Sequence, residues 1–281
     1  MQKHNKIDKL QAEVRLHKSN NKKIGFVPTM GALHEGHLSL INIAKKHSDI
    51  IVVSLFVNPT QFNDPGDYEK YPRNMSKDME MLKAAGTDIV FAPSEKEIYP
   101  EEDNRKFDFG ALEKVMEGKH RPGHFNGVAQ VVSRLFDSIM PDMAFFGEKD
   151  FQQLAIIRKM VKDYNYPVKI MGAPIIREND GLAMSSRNQR LNSEQRESAA
   201  FINQILAASK NKSQFLSVKQ LEGWVTDALN KIDHLEVEYF QIVDQVTLQP
   251  VNNWQENCDK IGCIAVYCGE VRLIDNIKYS F

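Results

Sequence analysis

The residues whose types and spacing suit chemistry lie in a few short segments. "PTMGALHEGH" (28–37) sets His34 and His37 three apart around Gly36, directly after the apolar run "IGFV" (24–27). Packing alone does not ask for that arrangement. Paired imidazoles can donate hydrogen bonds to phosphoryl oxygens, and charge developing on such oxygens in a transition state is what donors of this kind stabilise. Gly31 and Gly36 remove side chains, so a phosphate or a purine can approach the backbone closely. A helix expected to begin near His37 offers unpaired N–H groups and the positive end of its dipole to an anion. "GEKD" (147–150) repeats the design: a glycine, then Lys149 as a compact charge at a second helix start. "MSSRNQR" (184–190) adds the hydroxyls of Ser185 and Ser186 and the cation of Arg187 in a polar loop. Zinc is the alternative for His34 and His37. A metalloprotease helix needs His-Glu-x-x-His, however, and no third ligand is spaced near this pair, so no metal site is assigned. Asn58 and Gln61 of "NPTQF" (58–62) would suit any turn, Met30 reads as packing, and His120 and His124 in the Gly/Pro-rich "KHRPGHFNG" stay uncommitted.

Strands and helices must carry these segments. "IGFV" (24–27), "DIIVVSLFV" (49–57), "TDIVFAP" (87–93), "DMAFFG" (142–147) and "VKIMGAP" (168–174) read as buried strands, rich in β-branched and aromatic residues. Helical patterns separate them at 37–47, 75–86 and 150–164; in the last, Phe151, Leu154, Ile157 and Val161 share one face. This alternation predicts an α/β fold, a Rossmann-like doubly wound parallel sheet, up to about residue 176. Residues 193–230 read as helical, capped by Asn192 or Ser193, and 234–244, 261–268 and 271–279 read as strands, the last two joined at Gly269-Glu270. That predicts a second, smaller α+β domain at the C-terminus. Ligands of an open parallel sheet bind outside the carboxyl ends of its strands. "PTMGALHEGH", "NPTQF" and "GEKD" all follow strands, so separate segments are expected on one rim.

Composition excludes several partners. The chain has 281 residues with 36 Lys+Arg against 37 Asp+Glu, a net charge of -1, so no basic excess points to nucleic acid. No apolar run approaches a membrane span, and the polar N-terminus lacks a signal-peptide core. Cys258, Cys263 and Cys268 match neither a disulfide framework nor a zinc knuckle, and a cytoplasmic location is expected.

"PTMGALHEGHLSL", "FVNPTQF", "RPGHFNGV", "FFGEKDFQQL" and "DGLAMSSRN" together resemble the pantoate–β-alanine ligase family, in order and over nearly the whole chain. "HEGH" is similar to the His-x-Gly-His signature of the nucleotidyltransferase superfamily that includes class I aminoacyl-tRNA synthetases, and "MSSRN" to its Lys-Met-Ser-Lys-Ser-like loop. The resemblance implies a homodimer, with a Rossmann-like ATP- and pantoate-binding domain over residues 1–176 and a smaller domain over 177–281 closing over the active site. It implies that ATP, with Mg²⁺ held mainly by its phosphates, and (R)-pantoate form pantoyl adenylate, which β-alanine then attacks to give pantothenate and AMP. It assigns ATP contacts to Met30, Gly31, Ala32, Leu33, His34, Glu35, Gly36 and His37, and to Gly147, Glu148, Lys149 and Asp150. Ile176 would line the adenine, and Met184, Ser185, Ser186 and Arg187 would close over the phosphates. His37, as proton donor, His34, Lys149 and Arg187 are the implied catalytic set, and Asn58, Gln61 and Gln153 the substrate-binding one. A nucleotide-binding regulator without turnover would not need His37, Lys149 and Arg187 together.

Overall fold

Strands covered by helices on both faces are apolar at nearly every position. That is why β2 and β3 below are almost wholly buried runs, "IGFVPT" and "IIVVSL". The computed structural model describes residues 1–279. Its first elements are β1 (Gln2–His4), α1 (Ile7–Ser19), β2 (Ile24–Thr29), α2 (Glu35–Ala44), β3 (Ile50–Leu55), α3 (Pro65–Glu69), α4 (Met75–Ala84) and β4 (Ile89–Phe91). They are followed by α5 (Glu95–Ile98), α6 (Met116–His120), α7 (His124–Ile139), β5 (Met143–Gly147), α8 (Phe151–Asp163) and β6 (Lys169–Ala173). The last part consists of α9 (Ser193–Lys212), α10 (Val218–Leu229), β7 (Leu235–Asp244), β8 (Lys260–Cys268) and β9 (Val271–Tyr279).

Six parallel strands run in the order β1-β4-β3-β2-β5-β6. The chain moves outward from β2 to β3 and β4, then returns to the other side of β2 with β5 and β6. The order therefore reverses between β2 and β5, and the carboxyl ends of these strands flank the crevice where such folds bind ligands. On one face Leu40 and Ile41 of α2 and Leu82 of α4 pack on Val27, Val53 and Phe145. On the other, Phe26 meets Phe136 of α7 edge-on, with ring centroids 6.3 Å apart.

The chain divides into two compact units. The first is 1–109, 121–148 and 156–174; the second is 110–120, 149–155 and 175–281. The two units interleave in sequence, since the short stretches 110–120 and 149–155 group with 175–281. In the second unit β7-β8-β9 form an antiparallel sheet. One of its faces packs Phe240, Ile264 and Leu273 with Ile202 and Leu206 of α9 and Leu221 and Val225 of α10. The other packs Ile261 and Cys263 with Met116 and Phe151.

Two elements lie outside the strands and helices assigned from the sequence. The charged opening "QKH" forms β1 because its backbone pairs with Ile89–Phe91 of β4. Helix α7 has the apolar face of an amphipathic helix, burying Val128, Val131, Val132, Leu135 and Phe136, although Gly127 and the β-branched valines are weak helix formers.

Candidate active site

The turn after β2 is built by hydrogen bonds on backbone N–H groups. Gly31 and Ala32 adopt left-handed conformations, φ +80° and +50°. The second of these is costly for alanine and must be held. Buried Asp78, in the first turn of α4, does so: Oδ2 accepts from Ala32 N at 2.9 Å and Oδ1 from Leu33 N at 2.8 Å. Leu33 and Ala32 bury their side chains, so this stretch can meet a ligand mainly through its backbone and through Met30.

Helix α2 starts at Glu35, two residues earlier than the sequence pattern suggests, because His34 caps it. Its Nδ1 accepts from Gly36 N at 3.2 Å, and His37 Nδ1 accepts from His34 N at 3.3 Å. The ring centroids stand 4.1 Å apart. A neutral imidazole that accepts at Nδ1 carries its proton on Nε2. Both histidines of "HEGH" are thereby set as Nε2–H donors beside a helix N-terminus.

Gln61 lies in a 3₁₀ turn after β3, in the same unit. Its Nε2 donates to Met30 Sδ at 3.5 Å and its Oε1 accepts from Asn58 Nδ2 at 3.1 Å. Asn58 is 1 % exposed, and its amide is spent inside the protein. Nδ2 also donates to Gly127 O, while Oδ1 accepts from Tyr99 Oη at 2.8 Å and Thr60 Oγ1 at 3.1 Å. Burial raises the Tyr99 pKa, keeping that donor protonated. The arrangement makes Asn58 a support for Gln61. Gly127 permits the approach of α7, since a Cβ there would lie 2.3 Å from Thr60 O. The uncommitted "RPGH" residues also meet this turn. Arg121 Nη1 donates to His124 Nε2 at 3.2 Å, and His124 Nδ1 donates to Gln61 O at 2.8 Å. Arg121 Nη2 adds a 3.3 Å contact to the same carbonyl.

Gly147 closes β5 and Glu148 opens a short turn at the carboxyl end of that strand, next to the turn after β2 in sheet order. The other expected site residues belong to the second unit. Lys149 is half-buried, with Nζ 3.6 Å from Asp150 Oδ2. Gln153 is half-buried in the first turn of α8. Its buried neighbour Gln152 instead holds residues 112–117, accepting from Glu117 N and donating to Leu112 O and Val115 O. Ile176 and Met184 face one another across a narrow backbone pairing, Met184 N donating to Ile176 O at 3.0 Å. Ser185 caps the following turn by accepting from Arg187 N at 3.2 Å, and Ser186 is buried. Among the described residues no group of three or more His, Cys, Asp or Glu could hold a metal ion.

A parallel sheet whose order reverses between two strands, with a glycine turn feeding a capped helix beside that point, defines a Rossmann-like nucleotide-handling enzyme. Comparison with known proteins narrows this class. The family model for pantoate-beta-alanine ligase matches residues 2–278. A pantothenate synthetase of Porphyromonas gingivalis is 56% identical over 276 residues, covering 98% of either chain. The crystal structure of pantothenate synthetase from Thermus thermophilus superposes with a TM-score of 0.92 at 41% identity, covering 100% of both chains. The pantoate-beta-alanine ligase of Francisella tularensis, crystallised with beta-gamma ATP and beta-alanine, gives a TM-score of 0.82 at 37% identity, covering 99% and 97%. The chain belongs to the pantoate–β-alanine ligase family and is a ligase.

Proposed function

We infer that the chain joins (R)-pantoate to β-alanine at the expense of ATP, through pantoyl adenylate. The observation that carries the site assignment is the pair of imidazoles at the reversal of strand order, each with Nδ1 occupied by a backbone N–H. Donors fixed in that way need no reorganisation when charge appears on a phosphoryl oxygen.

In the first step a pantoate carboxylate oxygen attacks the α-phosphorus and pyrophosphate leaves. Little covalent work falls to the protein, which must align the reactants and neutralise charge. His34 and His37 donate from Nε2, with His37 as the proton donor, while Lys149 and Arg187 supply positive charge. Met30 to His37, with Glu35 and Gly36, form the loop for the nucleotide, together with Gly147, Glu148 and Asp150. Ile176 lies against adenine, and Met184, Ser185 and Ser186 cover the phosphates. Gln61 and Gln153, neutral amides, orient pantoate without competing for its charge. In the second step the β-alanine nitrogen attacks the acyl carbon, the bond to the AMP oxygen breaks, and the amine gives up its proton.

Mg²⁺ fits as part of the nucleotide. Asp78, which holds the turn after β2, spends both oxygens on Ala32 and Leu33, and among the described residues no group of His, Cys, Asp or Glu forms a cage for a metal. Such an ion neutralises phosphate charge and keeps most of its ligands from ATP and water. A homodimer and a cytoplasmic location complete the proposal. In its favour, Cys258, Cys263 and Cys268 are free thiols, and among the described residues no helix is long and apolar enough to cross a membrane.

Pantoate-dependent exchange of pyrophosphate into ATP tests the reading. His37→Ala should lower it by ~10²-fold or more while circular dichroism stays unchanged. Exchange at the wild-type rate in a folded variant would remove His37 from the mechanism.

A further inference from the structure

The last strand of the second unit contains two buried polar residues that none of the chemical segments explains. Asp275 and Asn276 are 4 % and 6 % exposed, side by side on β9, the edge strand of the small sheet. Successive side chains of a strand point to opposite faces, and their neighbours agree. Asp275 pairs in register with Ile264, which packs toward α9 and α10, whereas Asn276 pairs with Cys263, which packs toward Met116 and Phe151.

Each residue holds a different segment of the unit. Arg177 grips the Asp275 carboxylate as a fork, with Nη1 2.6 Å from Oδ2 and Nη2 2.9 Å from Oδ1. Arg177 in turn pairs through its backbone with Ala183 and donates from Nη1 to Gly181 O. The same narrow pairing continues in Met184 N to Ile176 O, and Asn188 Nδ2 donates to Ala183 O. One ion pair, with its carboxylate buried and its guanidinium half-buried, thus ties down the stretch from Ile176 to the turn carrying Arg187. On the opposite face Asn276 Nδ2 donates to the carbonyl of Lys149 at 3.1 Å. Burial pushes the Asp275 carboxyl up, while the Arg177 guanidinium and the Lys149 charge oppose that. Its backbone neighbour helps too, Asn276 N donating to Asp275 Oδ1 at 2.7 Å.

We propose that Asp275 and Asn276 are positioning residues for the adenylation step, fixing Lys149 and the Ile176–Arg187 stretch in register with one strand. They reach the nucleotide only through those residues, and the proposal rests on the reading of Lys149 and Arg187 given above. A fully buried carboxylate matched by a bidentate guanidinium leaves each partner dependent on the other. The arrangement converts a remote strand into the ruler that sets the spacing of two cationic side chains. Displacement of such groups by about 1 Å can cost ~10²-fold in rate.

The test compares Asn276→Ala, Asp275→Asn and Arg177→Lys with wild type and with Lys149→Ala, using full-length enzyme. Pantoate-dependent pyrophosphate exchange should fall ~10–100-fold in the first three, with KM for ATP raised and KM for pantoate within about twofold. Asp275→Asn combined with Arg177→Lys should lose no more than the worse of the two, because both act through one pair. Circular dichroism and thermal melting identify variants that fold, and Arg177→Lys, which keeps the charge but not the fork, is the mildest. If exchange is lost in Lys149→Ala but intact in folded Asn276→Ala and Asp275→Asn, the positioning role is overturned alone. Intact exchange in Lys149→Ala as well overturns the assignment of Lys149 and the inference with it. An equal rise in KM for ATP and pantoate would also overturn it, since general loosening has no reason to spare pantoate.

Discussion

A histidine can hold a proton on either nitrogen, and its neighbours decide which. In "HEGH" both Nδ1 atoms are taken by backbone N–H groups, so the sequence spacing that suggests phosphate chemistry also writes a helix cap. Gln61 shows the complementary case of a neutral side chain whose aim is set by others. Asn58 holds its Oε1, and Arg121 and His124 hold its backbone carbonyl. On the proposed reading Gln61→Ala removes an amide that orients the substrates, while from the glycine turn it takes only the long contact to Met30 Sδ and leaves the Asp78 bonds to Ala32 and Leu33 in place. Titration calorimetry should therefore find ATP binding kept within about threefold, with pantoate binding weakened by ~10-fold or more, the range expected when a hydrogen bond to a charged group is lost. Loss of the ATP signal with pantoate binding intact would contradict that division.

At the scale of elements, the support of the Asn58–Gln61 turn comes from α7 and from the irregular segment before it. Gln130 Nε2 donates to Asp103 O, Arg134 Nε donates to Asp103 Oδ2 at 2.6 Å, and Arg134 Nη1 donates to Ile98 O. Arg105 donates to both carboxylate oxygens of Asp103, and Tyr99 in the same segment donates to Asn58. The hydrogen bonds from Arg105, and next those from Arg134, hold the Asp103 carboxyl well below the usual carboxylate range, against the opposing effect of burial. A depressed folded-state value means stability that is present above the ordinary carboxylate value, 3.8, and lost as pH falls toward the folded-state value. Asp103→Asn lacks that charge at every pH. It should cost about 1–3 kcal/mol near neutrality, toward the lower end because Arg105 stays partly in solvent. Urea midpoints at about pH 7 and about pH 3 read the outcome: the gap between variant and wild type narrows in acid. An equal gap at both would show that Asp103 acts by packing and not by charge.

For the molecule as a whole, what the sequence discloses is what local chemistry decides. The strands β2 to β5 are readable because they are buried over most of their length, and the antiparallel strand β9 because Gly269-Glu270 closes it against β8. The segments proposed to meet the nucleotide are readable because glycine, histidine and lysine stand at strand ends. The groups that hold those segments are not readable. Asp78 acts on a turn 46 positions away, Arg177 and Asp275 are separated by 98, and Asn276 and Lys149 by 127. No periodicity links such pairs; only the fold does. The division into two units fails to be contiguous for the same reason, since 110–120 and 149–155 are assigned by long-range packing.

The same distinction between local chemistry and the assembled chain separates the two metal readings of the histidine pair. Taken alone, two histidines three apart invite zinc. In the folded chain their Nδ1 atoms serve the backbone, and among the described residues no third or fourth ligand gathers with them. Zinc is held tightly by closed sets of three or four protein ligands, whereas Mg²⁺ keeps several waters and relies on substrate phosphates. Elemental analysis of the purified protein should therefore find well under one transition-metal ion per chain. A transition-metal chelator that spares Mg²⁺ should leave both melting temperature and pyrophosphate exchange unchanged. EDTA in excess over Mg²⁺ should stop exchange without shifting the melting temperature of the nucleotide-free protein, and added Mg²⁺ should restore it. Zinc bound one per chain, and removed together with activity, would take His34 and His37 away from the phosphates.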